Sequence, residues 1–345
     1  MAVTIYDVAK KAKVGIGTVS RVINNSPHIS PKTKDKVLKV IKELKYQPHA
    51  MAQGLASKRS NSIACIVPDF TSYFFVELLR GIQQEISKHG YDLILYCVDE
   101  LDKKEVFLRR ALREKKVDGV LLLSMPIEER DIERFHQSRL PLVLVDSFHP
   151  KVDSITVENE QGAYIGTNHL IEIGHEKVAI ITGEYNSFPV KERINGYKRA
   201  LQNHNIPFNE KYLITADSFN NSELLLDHGF NKMAGYISMQ KLLDLGNERP
   251  TATFIASDIQ AIGALRAISE KGLTIPEDMA IVGFDDIELA EWVELTTMSQ
   301  PKSEIGRIAV DQIINKISGN NPSLLHKSFL PELIIRKSSG TTLRS

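Results

Sequence analysis

The sequence predicts a small all-α head over residues 1–47 and a large α/β body over 61–345, the body built from two doubly wound parallel-sheet subdomains. Three observations carry this reading. A chain of 345 residues is too long for one ordinary core. Residues 1–60 place apolar side chains at helical spacing in three short runs, and hold 12 Lys+Arg against 3 Asp+Glu, a net of +9 against −9 for the remainder. From residue 62 onward, short continuous apolar runs alternate with amphipathic stretches, the pattern of parallel strands covered on both faces.

In the head, Thr4-Ile-Tyr-Asp7 has capping-box form, with Asp in place of the usual Glu. The helix it opens, over 5–12, puts Ile5, Val8, Ala9 and Ala12 on one face. A glycine-bearing turn, KVGIG, leads to a second short helix, TVSRVINN, with Val19, Val22 and Ile23 inward. Ser30-Pro31 is an N-cap followed by proline at the first helical position. The third helix, about 31–45, buries Val37, Val40, Ile41 and Leu44 and leaves Lys32, Lys34, Lys36, Lys39 and Lys42 to water or phosphate. Two helices joined by a tight turn within a basic three-helix unit read as helix-turn-helix, and a basic head on an acidic body points to a polyanionic partner. GIGTVS is no phosphate loop: no strand precedes it, the third glycine is missing and no lysine follows.

The residues YDVAKKAKVGIGTVSRVINN closely resemble the headpiece of the LacI (lactose-repressor) family, and the resemblance extends along the chain. It implies that the second helix enters the DNA major groove with Ile16, Gly17 and Arg21 at the base edges. Arg21 can pair with guanine through two hydrogen bonds, Ile16 can pack on a thymine methyl, and Gly17 offers no side chain. Thr4, Tyr6, Thr18, Ser20 and Asn24 can bond phosphates or sugars, which sets register and not sequence. Gly15 stands where many members carry a Ser N-cap, a change worth only a few tenths of a kcal/mol.

Residues 48–60 contain HAMAQGLASKR, a short helix weakened from within by Gly54. In the family this is the hinge helix, and a leucine of it wedges into the minor groove; Leu55 occupies that place here.

In the body, the first half reads SIACIVPD, a helix 74–89, YDLILYCVD, a helix near 103–115, DGVLLLS, a helix near 127–138 and PLVLVD. The second half reads a helix 159–173, KVAIITG, a helix 190–204, YLITAD, a helix near 233–245, TATFIASD, a helix 258–271 and MAIVGFDD. The tail, LTTMSQP, a helix 303–317 and ELIIRKS, supplies elements to both halves, as in periplasmic sugar-binding proteins of the related type I fold. The expected partition is 61–160 with 294–320 for the first half and 161–293 with 321–345 for the second.

Ligands of open α/β sheets sit beyond the carboxyl ends of the strands, so two facing halves enclose a cleft. By resemblance, effector contacts fall on Phe74, Phe75, Asp146, Arg193, Phe230, Ser257 and Asp285. Carboxylate and guanidinium groups grip ring hydroxyls, and aromatics cover apolar ring faces. Ser187 and Pro189 stand where purine-binding members carry Arg and Thr, so a sugar or sugar derivative is the expected effector.

Nothing in the sequence supports catalysis: there is no HExxH, no GxSxG and no metal-ligand cluster, and no cofactor is expected. The cysteines Cys65 and Cys97 lie in apolar strand patterns and are expected as free thiols in a reducing cytoplasm. No apolar run is long enough for a membrane span and no signal core opens the chain. The expected protein is a cytoplasmic transcriptional regulator, a repressor, that binds a pseudo-palindromic operator as a homodimer and answers to a small molecule. Control by a protein co-regulator, as in the catabolite-control members, and a sugar receptor without a DNA role are the alternatives.

Overall fold

The computed structural model describes residues 3–23, 28–46, 60–68, 72–98, 101–114, 116–185, 187–219, 228–320 and 323–340. The chain divides into two compact units, residues 1–61 and 62–345.

The first unit is three helices: α1 (Ile5–Ala12), α2 (Ile16–Ile23) and α3 (Pro31–Leu44). Their apolar stripes meet in a small core of Val8, Ala9, Ala12, Val19, Val22, Val37 and Val40, with Ile5, Ile23, Ile41 and Leu44 packed around it. The Asp7 carboxylate accepts from both the Thr4 backbone N–H (2.8 Å) and the Thr4 hydroxyl (2.7 Å), which closes the start of α1. The same two bonds hold the Asp7 carboxyl below its ordinary value. Ser30 Oγ accepts from the Thr33 N–H at 3.3 Å and caps α3.

The second unit holds two six-stranded sheets. The first half runs β1 (Ser62–Val67), α4 (Tyr73–Lys88), β2 (Asp92–Cys97), α5 (Leu101–Glu114), β3 (Gly119–Leu123), α6 (Glu129–Ser138), β4 (Leu142–Val145) and β5 (Asp153–Val157). The second half runs α7 (Asn159–Glu172), β6 (Val178–Thr182), α8 (Phe188–Asn203), β7 (Leu213–Thr215), α9 (Lys232–Leu243), β8 (Ala252–Ile255), α10 (Asp258–Glu270), β9 (Ala280–Asp285), α11 (Glu288–Trp292) and β10 (Thr296–Ser299). The chain then returns through α12 (Lys302–Ile317) and β11 (His326–Phe329) before ending in β12 (Glu332–Ile334). Strand order is β11-β5-β4-β3-β1-β2 in one sheet and β12-β10-β9-β8-β6-β7 in the other, parallel throughout except for the β12 edge. Five fully buried residues in β3 and four in β8 explain the continuous apolar runs in the sequence.

The tail departs from the expected partition. Residues 296–299 join the second sheet beside β9, and residues 326–329 join the first beside β5. Buried polar groups dictate both placements. Thr297 Oγ1 donates to the buried Asp258 at 2.6 Å, so β10 finds its partner only in the second half. Asp153, 2% exposed, accepts from Gln312 Nε2 (2.7 Å) and the Leu325 N–H (2.8 Å), which draws the segment after α12 onto β5. Strands β5 and β11 and the short α11 were not foreseen, because no helix separates β4 from β5 and HKSF carries no alternation.

Helices α4 and α12 touch at backbone distance. A Cβ at Gly81 would stand 2.5 Å from the Ser303 carbonyl oxygen, and one at Gly306 2.7 Å from that of Leu78. One apolar cluster runs through both halves, from Val67 and Phe75 to Ile194 and Phe284. The chain crosses between halves near residue 158, at 300–301 and at 330–331, so any cleft between them is bounded by three strands of backbone.

Candidate functional site: the helical head and the inter-half cleft

In the head, α2 presents an outer face. Ile16 is 41% exposed, Gly17 and Arg21 are exposed, and a Cβ at Gly17 would meet nothing within 4 Å. Thr18 and Ser20 are half-buried on the flanks of that face, while Val19 and Val22 point into the core. Tyr6, on α1, is 67% exposed. The Thr4 hydroxyl is engaged by Asp7, so its role in this structure is capping. Asn24 and Leu55 lie outside the described residues.

In the body, strand ends from both halves converge. Asp146 closes β4 and accepts from Ser124 Oγ, at the end of β3, at 2.7 Å. Asp285 ends β9; its Oδ2 accepts from Ser257 Oγ at 3.1 Å and its Oδ1 from Gln300 Nε2 at 2.7 Å. Arg193, on the first turns of α8, is 5% exposed. Its Nε donates to Asn159 Oδ1 at 2.9 Å, its Nη1 donates to the Ala256 carbonyl, and its guanidinium lies 3.8 Å from the Phe284 ring centroid and 5.9 Å from that of Phe230. Arg193 is therefore no surface residue of its helix.

These charges act on one another across the cleft. Burial pushes the Asp285 carboxyl up to about 6, opposed by Arg193 and then Lys302. Burial also raises Asp146, opposed by Arg193 and the Ser124 hydroxyl. Asp258, wholly buried at the start of α10, is raised well above its ordinary value, by burial and then by the neighbouring Asp285. Burial lowers the Arg193 guanidinium, and Asp285, Asp146 and Asp258 oppose that shift. One arginine from the second half thus faces carboxylates from both.

The backbone is strained at the same place. Ser124 (φ 50°), Asp146 (φ 53°), Asp285 (φ 119°) and Asp286 (φ 51°) all sit at positive φ. Each costs about 1–3 kcal/mol for a non-glycine residue, a strain that gathers at binding sites.

Asp285 and Asp286 are adjacent but serve different partners: Asp286 Oδ1 accepts from Arg336 Nη2 at 2.9 Å. Phe74 and Phe75 open α4 as an edge-to-face pair with centroids 5.2 Å apart. Phe75 is 8% exposed, and Phe74 and Phe230 are half-buried against the same apolar cluster.

Four residues of this site were not singled out from sequence. Asn159 orients Arg193, Gln300 holds Asp285, and Lys302 donates to the carbonyls of Asp285 and Asp286 while pairing with Glu77. Gln300 follows β10 directly, so the rule that ligands lie beyond strand carboxyl ends could have found it. Lys302 and Glu77 carry no such signal.

Among the described residues, one trio brings metal-type ligand atoms together: Glu85, His89 and Asp311, within 4.8 Å. Its carboxylates are matched by Lys88 (2.7 Å) and Arg307 (2.9 Å), so side chains already balance the charge. No helix among the described residues is long and apolar enough to cross a membrane.

Comparison with known proteins bears on both units. Residues 4–49 match the family of bacterial regulatory proteins of the lacI type, and residues 167–339 match a periplasmic binding protein-like domain. Catabolite control protein A of Priestia megaterium is 35% identical over 316 residues, covering 90% of this chain and 91% of its own. The transcriptional repressor PurR of Aliivibrio salmonicida (strain LFI1238) is 34% identical over 341 residues, covering 97% and 98%. The lac repressor dimer bound to operator and the anti-inducer ONPF has a similar fold, with a TM-score of 0.84, 26% identity and coverage of 99% of this chain and 100% of that one. The transcriptional regulator CelR in complex with cellobiose gives a TM-score of 0.72 at 28% identity, covering 97% and 99%. With both units matched in order and relatives aligned over nearly the whole length, the chain belongs to the LacI family of DNA-binding transcriptional repressors with a ligand-binding body, which are not enzymes.

Proposed function

We propose that this regulator is a repressor whose operator affinity is set by a sugar or sugar derivative held between the two halves of the body. The observation that carries this is Arg193, drawn from the second half and flanked by Asp146 of the first and Asp285 of the second. A ligand bonded to all three would bridge the halves, and its binding energy would then bias their relative position. The other proposed contacts are Phe74, Phe75 and Phe230 against ring faces and Ser257 beside Asp285.

The DNA side of the proposal rests on the exposed face of α2. Ile16, Gly17 and Arg21 read base edges, and Tyr6, Thr18, Ser20 and Asn24 contact the backbone. One short helix reads too few base pairs alone, so a homodimer on a pseudo-palindrome is the working form. Leu55 is the minor-groove wedge of the hinge, and operator and effector affinities are reciprocally linked through it.

A thermal-shift screen of sugars, sugar phosphates and nucleobases on the intact protein tests the ligand reading. A stabilising compound whose effect is lost in Asp285→Asn supports it; a hit that stabilises the variant equally contradicts it. For the hinge, Leu55→Ala should retain dimer and ligand binding and lose most operator bending, so unchanged bending would remove the wedge.

A further inference from the structure

Away from the cleft, two helices of the first half border a groove lined by cations. Helices α5 and α6 each run back toward the amino ends of the parallel strands, so their last turns lie at the opposite end of the sheet from Asp146, which follows β4. A groove of about 580 Å³ opens there, lined by Arg109, Leu112 and Arg113 of α5 and by Arg134, Gln137 and Ser138 of α6. Its volume is that of a small-molecule site. Among the described residues, the lining brings three guanidiniums and no carboxylate.

Two of the three guanidiniums are fixed side by side. Arg109 Nη2 donates to Glu105 Oε1 at 2.5 Å. Arg134 Nη1 stands 3.7 Å from that same oxygen and donates to Asp131 Oδ1 at 3.0 Å. Asp131 is 3% exposed, so its partner is held against a buried carboxylate. The Arg109 hydrogen bond, and then the charges of Arg109, Arg130 and Arg134, hold the Glu105 carboxyl below its ordinary value. These contacts leave Nε and Nη1 of Arg109 and Nε and Nη2 of Arg134 unspent among the described residues. Arg113 and Gln137 make no hydrogen bond or ion pair among the described residues. Three guanidiniums against Glu105 and Asp131 leave a positive excess, in a chain whose residues beyond 60 carry a net charge of −9.

We infer that this groove is a second ligand site, separate from the cleft, and that it takes the phosphate group of a small phosphomonoester. A guanidinium presents its N–H groups as a planar fork that matches phosphate oxygens in pairs. A phosphomonoester has three terminal oxygens and close to two negative charges, enough to engage Arg109, Arg113 and Arg134 together. A carboxylate has two oxygens and one charge, and satisfies fewer of them. The Gln137 amide adds an uncharged donor, and Leu112 is the one apolar residue of the lining. The inference does not depend on what the cleft binds.

The test uses the full-length protein, with inorganic phosphate and glycerol 3-phosphate as probes, by calorimetry in chloride buffers of matched ionic strength. Both probes are expected to bind with a Kd of about 1 mM or below, and glycerol is not. Arg113 and Gln137 are exposed and hold nothing else in place, so their variants should melt as the wild type does. Arg113→Ala should weaken glycerol 3-phosphate at least about fivefold, and Arg113→Glu should abolish its binding. Arg113→Lys, which keeps the charge and loses the fork, should fall between wild type and Arg113→Ala. Gln137→Ala should weaken binding by a smaller factor than Arg113→Ala. Wild-type affinity in a folded Arg113→Glu puts the anion elsewhere on the molecule and overturns the inference. Failure of both probes to bind at roughly 20 mM overturns it as well. Binding of inorganic phosphate with exclusion of glycerol 3-phosphate overturns the ester.

Discussion

Lys302 Nζ stands 3.1 Å from Glu77 Oε2, and the two residues belong to different covalent paths into the cleft. Glu77 rides on α4, close against α12, while the Lys302 ammonium also donates to the Asp285 and Asp286 carbonyls at the end of β9. A nearly buried cation therefore ties a helix of the first half to the carboxyl end of β9 in the second. Removing it would leave two carbonyls without this donor. Lys302→Met is expected to cost about 2–4 kcal/mol of unfolding free energy in urea. Glu77→Gln should cost under about 1 kcal/mol, because its partly exposed carboxylate regains water. Equal losses in the two variants would show that the carbonyl bonds contribute nothing beyond the ion pair.

Asp285 gives the protein a pH dependence with a definite sign. Its carboxyl is raised from 3.8 to about 6, so between those values the folded state holds a proton that the unfolded state has lost. Stability from this group is therefore highest below about pH 4, falls as pH rises to about 6, and is level above. A shift of that size corresponds to roughly 3 kcal/mol across the window. Asp146 and Asp258 are raised too and add in the same direction. Urea unfolding of wild type and Asp285→Asn at intervals from pH 4 to 7 should show the wild type losing ground to the variant as pH rises. A constant difference would refute the assignment. Ligand hydroxyls that donate to Asp285 favour its ionised form, so affinity should rise through the same window.

Arg193 sets how far that dependence extends. It is the strongest charge opposing the upward shift of both Asp285 and Asp146. In Arg193→Met both carboxyls should move further up, and the fall in stability should extend above pH 6, where wild type is level. The variant also strands Asn159 Oδ1 and the Ala256 carbonyl, a loss of about 2–4 kcal/mol at neutral pH. A pH profile unchanged in shape would mean that the guanidinium acts through its hydrogen bonds and its packing on Phe284, and not through its charge on the two carboxyls.

Much of this architecture was legible because it rests on local signals. The continuous runs SIACIV and ATFI are buried strands, and Ser30-Pro31 opens α3 as a cap followed by proline should. Asp146 and Asp285 entered the expected ligand set by resemblance, and the structure places both at strand carboxyl ends. Strand β11 was not found because HKSF is half-exposed and is placed by the bond from the Leu325 N–H, just before it, to the Asp153 carboxylate, 172 residues away in sequence. Lys302 and Glu77 were missed for a related reason: Lys302 opens α12 and meets the end of β9 in the other half, and no spacing within one helix records such a contact.

Arg21 offers the sharpest test of the head. It is exposed on α2 and no part of the small valine-rich core depends on it, so Arg21→Ala should leave the melting of the head within about 0.5 kcal/mol of wild type. Operator affinity should fall by about 1–3 kcal/mol, and discrimination should relax at one base pair in each half-site. A phosphate contact behaves differently: it weakens all sequences equally and lowers the slope of log affinity against log salt by about 1 for each charge removed. Binding assays on a library of half-site variants at two salt concentrations separate the cases. Selective relaxation at one position assigns Arg21 to a base edge, and uniform loss with a shallower salt slope assigns it to the backbone. In the second case Ile16, 41% exposed beside it, would be left as the side chain of α2 that reads sequence.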